Sequence, residues 1–124
     1  MRRTLEMLFV MNAVVLCVHQ IDAAYWHEWN LFRLPGGNQL NLILNLLIIA
    51  SVFYAYRHVL SGSPTWRRGH AYLAFLGLLT LSLHSLFFYM GHEEFLQPMS
   101  LALIAATALL SLAQIVLLRK TLPA

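Results

Sequence analysis

Four long apolar segments constrain the fold of this chain more than any other feature of its sequence. They cover residues 4–26, 38–56, 66–90 and 98–118. An α-helix rises 1.5 Å per residue, so about 20 apolar residues cross the hydrocarbon core of a bilayer. The segments therefore predict an all-α fold, an integral membrane four-helix bundle in which residues 1–124 form a single transmembrane domain.

The composition excludes the common soluble classes of protein. Of 124 residues, 60% are hydrophobic and only 10% are charged, and the mean hydropathy is +0.67, whereas soluble domains are roughly 45–50% apolar and 25% charged. The formal charge is only +3 and no basic patch is interleaved with aromatic residues, so no nucleic-acid partner is expected. The lipid bilayer is the expected partner, and the sequence is also compatible with a homo-oligomer.

The placement of the charges predicts how the bundle is oriented. Seven of the eight cations fall at one end of the predicted helices: Arg2, Arg3, Arg57, Arg67, Arg68, Arg119 and Lys120. Four of the five acids fall at the other end, which we call the acidic end: Asp22, Glu28, Glu93 and Glu94. Because cytoplasmic loops are enriched in lysine and arginine, both termini are predicted to be cytoplasmic. The expected location is a bacterial inner (plasma) membrane, with the acidic end facing the periplasmic or extracellular side.

Polar side chains from three predicted helices meet at one depth. His19, Asn45 and His84 each lie about 10 Å from the acidic end of their segment at 1.5 Å per residue. Asp22 follows His19 by three residues and Asn41 precedes Asn45 by four, so each pair is expected to share a helix face. Because polar side chains within spans are costly and usually face a bundle interior or a cavity, this layer predicts an outward-opening polar site.

The ligand types at this layer point to metal chemistry. Imidazole nitrogen and carboxylate oxygen without thiolate suit a divalent ion, with Zn or Fe expected first and Mn also fitting. The leading hypothesis assigns His19, Asp22 and His84 as the metal ligands. Three protein ligands would leave a fourth position for water or substrate, as catalytic zinc sites require.

The same hypothesis gives the surrounding polar residues supporting roles. Asn41 and Asn45 bind or orient a ligand, while Glu28 and Glu93 transfer protons. The protein would then be a metal-dependent enzyme acting on a lipid-like or small amphipathic substrate near the outer leaflet.

Two alternatives stay open beside this hypothesis. His19 and His84, at equal depth on two helices, also fit the paired axial ligands of a haem-binding, electron-transfer membrane protein. The same layer equally fits a non-enzymatic accessory or assembly subunit in which polar contacts fix helix register. A proton-coupled transporter is less favoured, because Glu6 and Gln114 are isolated in the inner half. His70 lies beside arginines at that end and is interpreted as interfacial.

Three short stretches resemble one kind of protein. They are His19-Gln20-Ile21-Asp22, Trp26-His27-Glu28-Trp29 and Leu34-Pro35-Gly36-Gly37. Together they are similar to uncharacterised small bacterial four-span membrane proteins, in which an H-x-x-E-E motif ends the first helix and a Pro-Gly turn precedes an asparagine-bearing helix. Here Asp22-Ala23 stands where those proteins have the pair of glutamates. The resemblance implies that His19 and Asp22 are site residues.

Overall fold

A computed structural model describes residues 1–122, and within that range it contains four long helices and one short helix. In chain order they are α1 (Arg2–Tyr25), α2 (Glu28–Leu31), α3 (Gly37–Ser61), α4 (Trp66–Tyr89) and α5 (Pro98–Arg119). The four long helices are long and apolar enough to cross a membrane. This architecture confirms the predicted all-α, four-helix membrane fold.

Most helix ends lie within two residues of their predicted positions, and α3 is the exception. It continues to Ser61 because its last turns, although polar, contain no residue that breaks a helix. Gly62 then closes it with a left-handed backbone (φ 61°), a conformation that glycine adopts without steric cost. The short helix α2 was not predicted, since four residues are too few to give a periodic pattern.

The long helices form a closed bundle in the order α1, α5, α4, α3, with additional contact between α1 and α4. Two glycines allow α4 to approach its neighbours closely. A Cβ on Gly77 would lie 2.1 Å from Ser111 Oγ on α5, and one on Gly69 would lie 3.0 Å from the Ala55 carbonyl oxygen on α3. Small residues at such crossings are typical of helix packing in membranes.

The surface of the bundle is apolar, as a lipid environment requires. Leu46 and Phe53 on α3 are 68% and 64% exposed, and Leu109 on α5 is 67% exposed. The buried side chains, by contrast, include many polar ones. Since lipid offers no hydrogen bonds, the polar side chains turn inward and pair within the protein.

A hydrogen-bonded group that we call the inner network lies between α1, α4 and α5. Asn12 Nδ2 donates to Ser111 Oγ (2.9 Å) and to Gln114 Oε1 (2.7 Å). Asn12 Oδ1 in turn accepts a hydrogen bond from Thr107 Oγ1 (2.7 Å). Gln114 Nε2 donates to His70 Nδ1 at 3.2 Å. These five side chains are at most 1% exposed. The predictions that His70 is interfacial and that Gln114 is isolated are therefore wrong, because both side chains point into the bundle.

Candidate metal centre

Three ionisable side chains from three helices meet in the half of the bundle nearer the acidic end, which we call the outer half. His19 comes from α1, Glu28 from α2 and His84 from α4, and each offers one ligand atom within 4.8 Å of the others. The two histidines are 2% and 1% exposed, and the Glu28 side chain is 13% exposed. We call these residues the His–Glu cluster. The structure brings His19 and His84 together, as their equal depth predicts.

The His84 ring is fixed by its own helix. Its Nδ1 lies 2.8 Å from the backbone oxygen of Thr80, and since a carbonyl oxygen only accepts, Nδ1 carries the proton and donates it. In the neutral ring Nε2 then presents a lone pair, 3.5 Å from Glu28 Oε1. Metal-binding histidines are commonly oriented in this way, by a hydrogen bond from the nitrogen that does not bind the ion.

An aromatic side chain closes the cluster from the connection between α4 and α5. Phe95 is 1% exposed, and its ring centroid lies 4.4 Å from that of His84 and 6.0 Å from that of His19. Phe95 was not among the predicted site residues. The sequence feature that could have indicated it is that Phe95 is the one phenylalanine in the short connection 91–97. Its packing excludes water from one side of the two imidazoles.

The loop conformation places Glu28 inside the bundle. Glu28 begins α2, a single helical turn between His27 and Arg33, which both have a left-handed backbone with φ 53°. That conformation is uncommon for residues other than glycine, and it turns the chain back over the bundle. Burial, with a smaller contribution from the charge of Asp22, raises the pKa of the Glu28 carboxyl to about 7. A cation bound at this carboxylate would therefore compete with a proton near neutral pH.

Asp22, predicted as a metal ligand, lies beside the His–Glu cluster and not within it. Trp26 Nε1 donates a hydrogen bond to Asp22 Oδ1 at 3.1 Å. The carboxylate lines a separate cavity of about 240 Å³ together with Ser100 of α5. Three residues advance 300° around a helix, which leaves Asp22 about 60° from the direction of His19. Glu28, and not Asp22, is the acid that lies with the two histidines.

A cavity of about 160 Å³ opens beside the His–Glu cluster, and both predicted ligand-binding asparagines line it. Asn45 Nδ2 donates to Asn41 Oδ1 and to the Asn41 backbone oxygen, both at 2.9 Å. The Asn45 Oδ1 atom is buried and has no hydrogen-bond partner among residues 1–122. Because a water molecule takes about 30 Å³, the cavity suits an ion with water or a small ligand group.

Glu93, the second predicted proton-transfer residue, lies outside this arrangement. It is exposed in the connection between α4 and α5 and does not line the cavity beside the cluster. Its neighbour Glu94 pairs with His92, with 3.6 Å between Oε1 and Nδ1. Of the two predicted proton-transfer residues, the structure brings only Glu28 to the two histidines.

The fold and the site together define a multi-pass α-helical membrane protein with a buried His–Glu cluster in its outer half. The chain belongs to a family of unknown function, DUF6713, whose model matches residues 5–121 and so includes all three residues of the cluster. No curated protein and no solved structure matches the sequence. The function therefore has to be argued from the chemistry of the site.

Proposed function

We propose that this membrane protein binds one divalent metal ion through His19, Glu28 and His84, with zinc or iron as the expected ion. The carrying observation is that three candidate ligand atoms lie within 4.8 Å of one another in a buried site. The separation of His84 Nε2 and Glu28 Oε1 is 3.5 Å, close to the ~3.4 Å between two ligands of a tetrahedral ion with bonds near 2.0–2.1 Å. Imidazole and carboxylate without thiolate suit these ions.

Unpaired polar atoms favour a bound ion over a purely structural cluster. Three of the seven buried side-chain polar atoms without a hydrogen-bond partner in residues 1–122 belong to the cluster or line the cavity beside it: His19 Nδ1, His84 Nε2 and Asn45 Oδ1. Each unpaired buried group costs about 1–3 kcal/mol. A cluster that served only to hold helices together would be expected to pair these atoms with each other.

The geometry favours an ion over a haem between the two histidines. The ring centroids of His19 and His84 lie 4.7 Å apart, with the ring planes at 79°. In a haem with two axial histidines the two ligand nitrogens alone are about 4 Å apart, because each lies about 2 Å from the iron on opposite sides. The rings extend outward from these nitrogens, so their centroids lie further apart than those of His19 and His84. A macrocycle would also have to lie between the rings, where they are in contact.

The proposal extends to chemistry at the ion. Three protein ligands leave a coordination position for water or a substrate atom, and Asn41 and Asn45, which line the same cavity, are assigned to substrate binding. Leu44 of α3 and Leu79 of α4 also line this cavity and are 36% and 37% exposed on the lipid side. An apolar part of a substrate thus has a route from the bilayer, which supports a small amphipathic or lipid-like substrate.

We place the His–Glu cluster near the periplasmic or extracellular face of a bacterial inner membrane. Seven of the eight cations and both termini are at the opposite end of the bundle, which supports this orientation. The resemblance of residues 19–37 to small bacterial membrane proteins supports the same location. Substrate would then reach the ion from the outer leaflet.

Metal analysis of the purified protein tests the proposal. The chain is purified in detergent with a tag that contains no histidine, is dialysed against zinc or iron(II), and its metal content is measured by mass spectrometry. We expect about one ion per chain in the wild type. His19→Ala and His84→Ala should lower metal affinity at least tenfold, because loss of even an orienting partner typically costs 10–100-fold.

Matched variants outside the cluster serve as controls. His92→Ala and Glu93→Gln remove the same kinds of side chain at the acidic end, and both should keep the wild-type metal content. A wild-type protein without stoichiometric metal would overturn the proposal. So would undiminished metal in both cluster variants. If both cluster variants lose thermal stability equally with and without added metal, the cluster is structural.

A further inference from the structure

A groove between α4 and α5 combines arginine side chains with an apolar floor at the end of the bundle that carries the termini. Arg67, Arg68 and Arg119 line its mouth, and Phe75, Leu78 and Ile115 line its interior. Its volume is about 510 Å³. We call it the arginine groove. It lies at the opposite end of the molecule from the His–Glu cluster and shares no residue with the cavity beside that cluster.

The length of the arginine groove matches one leaflet of a bilayer. From Arg68 to Leu78 the α4 helix rises about 15 Å, which is half of the roughly 30 Å hydrocarbon core. The cations therefore lie at headgroup level, while the apolar floor extends to about the middle of the membrane. Phe75 is 58% exposed, so the floor is open to lipid along its side.

The charge at the mouth is unbalanced. The acid at this end, Glu6, pairs with Arg2, with 3.0 Å between Oε1 and Nε. No carboxylate within residues 1–122 forms an ion pair with Arg67, Arg68 or Arg119. A ligand that complements the groove must therefore bring negative charge at the headgroup level and an apolar chain below it.

One of the three arginines is held in place. The Arg67 guanidinium lies over the Trp66 ring, with its central carbon 5.4 Å from the ring centroid, and Nη2 donates to the backbone carbonyl of Thr121. Its Nε is buried and has no partner among residues 1–122. The adjoining groove between α3 and α4 is lined by one arginine, Arg68, whereas the arginine groove is lined by three.

We propose that the arginine groove is a binding site for one anionic phospholipid of the leaflet on the side of the termini. The phosphate is bound by the exposed guanidinium groups of Arg68 and Arg119, which suit its geometry through paired hydrogen bonds, while Arg67, held by Trp66 and Thr121, adds positive charge beside them. One acyl chain follows the apolar floor between α4 and α5. Basic pockets between transmembrane helices on the cytoplasmic side are a known mode of anionic lipid recognition. The bound lipid would hold α4 and α5 together at this end of the bundle.

Native mass spectrometry in a neutral detergent tests this site. Apparent affinities are measured for dioleoyl phosphatidylglycerol and dioleoyl phosphatidylcholine, which differ in headgroup charge. The wild type should bind the anionic lipid more tightly. The double variant Arg68→Gln, Arg119→Gln should lower that affinity about 30-fold, with little change for the zwitterionic lipid. Both side chains are exposed, so the fold should be retained.

A charge-matched control separates a site from general attraction. The double variant Arg3→Gln, Arg57→Gln removes the same charge at the same end of the bundle, but from exposed positions outside the groove. This variant should keep most of the wild-type preference for the anionic lipid. Equal losses of affinity for the anionic lipid in the two double variants would overturn the proposal. A wild type that binds the anionic and the zwitterionic lipid equally well would also overturn it. Inorganic phosphate at millimolar concentration should not displace the lipid. Displacement would show that the site recognises a free anion.

Discussion

The close approach of α4 to α5 gives the sharpest prediction about the fold, and it can be tested with Gly77→Ala. An added Cβ would lie 2.1 Å from Ser111 Oγ, 2.6 Å from Thr107 Oγ1 and 2.9 Å from the Thr107 backbone oxygen. Ordinary van der Waals contact begins near 3.4 Å. The backbone oxygen cannot turn away as a side chain can, so the two helices must move apart.

The cost has two parts. Overpacking in a well-packed interior typically costs about 1–3 kcal/mol. Separation of the helices also weakens the bonds that Asn12 makes to Ser111 and Thr107, and hydrogen bonds inside membrane proteins average about 0.6 kcal/mol each. We therefore expect Gly77→Ala to lower the free energy of unfolding by about 2–4 kcal/mol. His84 lies two turns further along α4, so metal affinity should fall as well.

Unfolding in mixed micelles, followed by circular dichroism, measures the stability change. Ala105→Val is the control, because it adds bulk at an exposed position of α5. In a Ser111→Ala background the nearest clashing atom is absent, so Gly77→Ala should cost less there than in the wild type. A stability within about 0.5 kcal/mol of wild type, the range of ordinary surface substitutions, would refute the reasoning. An unchanged cost in the Ser111→Ala background would refute the assignment of the clash.

Two further predictions concern the buried ionisable groups. Burial raises the pKa of Glu28 from 4.5 to about 7, so the folded metal-free chain holds a proton that the unfolded chain releases between those values. Relative to Glu28→Gln, the metal-free wild type should lose up to about 3 kcal/mol of stability as the pH rises from 5 to 8. Melting temperatures of the two proteins are measured across this pH range. If the two melting temperatures change in parallel with pH, the prediction is contradicted. His70→Leu removes the acceptor of Gln114 but also the buried, unpaired Nε2 of His70, so it should lower stability by an amount near the lower end of about 1–3 kcal/mol. It should change metal affinity less than twofold in calorimetry, and a larger loss would mean that the inner network acts on the metal centre.

The sequence was sufficient to predict the helices and the depth of the two central histidines. Long apolar runs predict spans because the bilayer sets their length, and a fixed rise per residue converts sequence position into depth. Equal depth puts His19 and His84 in one layer of the bundle, and the structure shows the two rings in contact there, with centroids 4.7 Å apart. The arithmetic of depth needs no knowledge of how the helices are arranged.

Direction around each helix could not be predicted in the same way. Asp22 was assigned to the His19 face by spacing alone, but the 60° between them is enough to turn it toward α5. Glu28 reaches the histidines because of the left-handed backbone at His27, a tertiary feature that no periodicity signals. His70 was similarly misjudged, since the short connection 91–97 predicts that α4 and α5 are neighbours but does not say that the His70 ring faces Gln114.

The two buried polar layers of the bundle differ in how their polar atoms are paired. Each contains histidine and asparagine at minimal exposure, so burial and composition do not distinguish them. In the inner network the Asn12 side chain has partners on α5 for both its nitrogen and its oxygen, and His70 on α4 extends the chain of hydrogen bonds through Nδ1, with its Nε2 as the one atom of the network that is buried without a partner among residues 1–122. In the outer layer both histidines keep a buried nitrogen without a partner, while a carboxylate lies within reach. Because an unpaired buried polar atom is costly, two such nitrogens beside a carboxylate support the proposal that a cation binds in the outer layer.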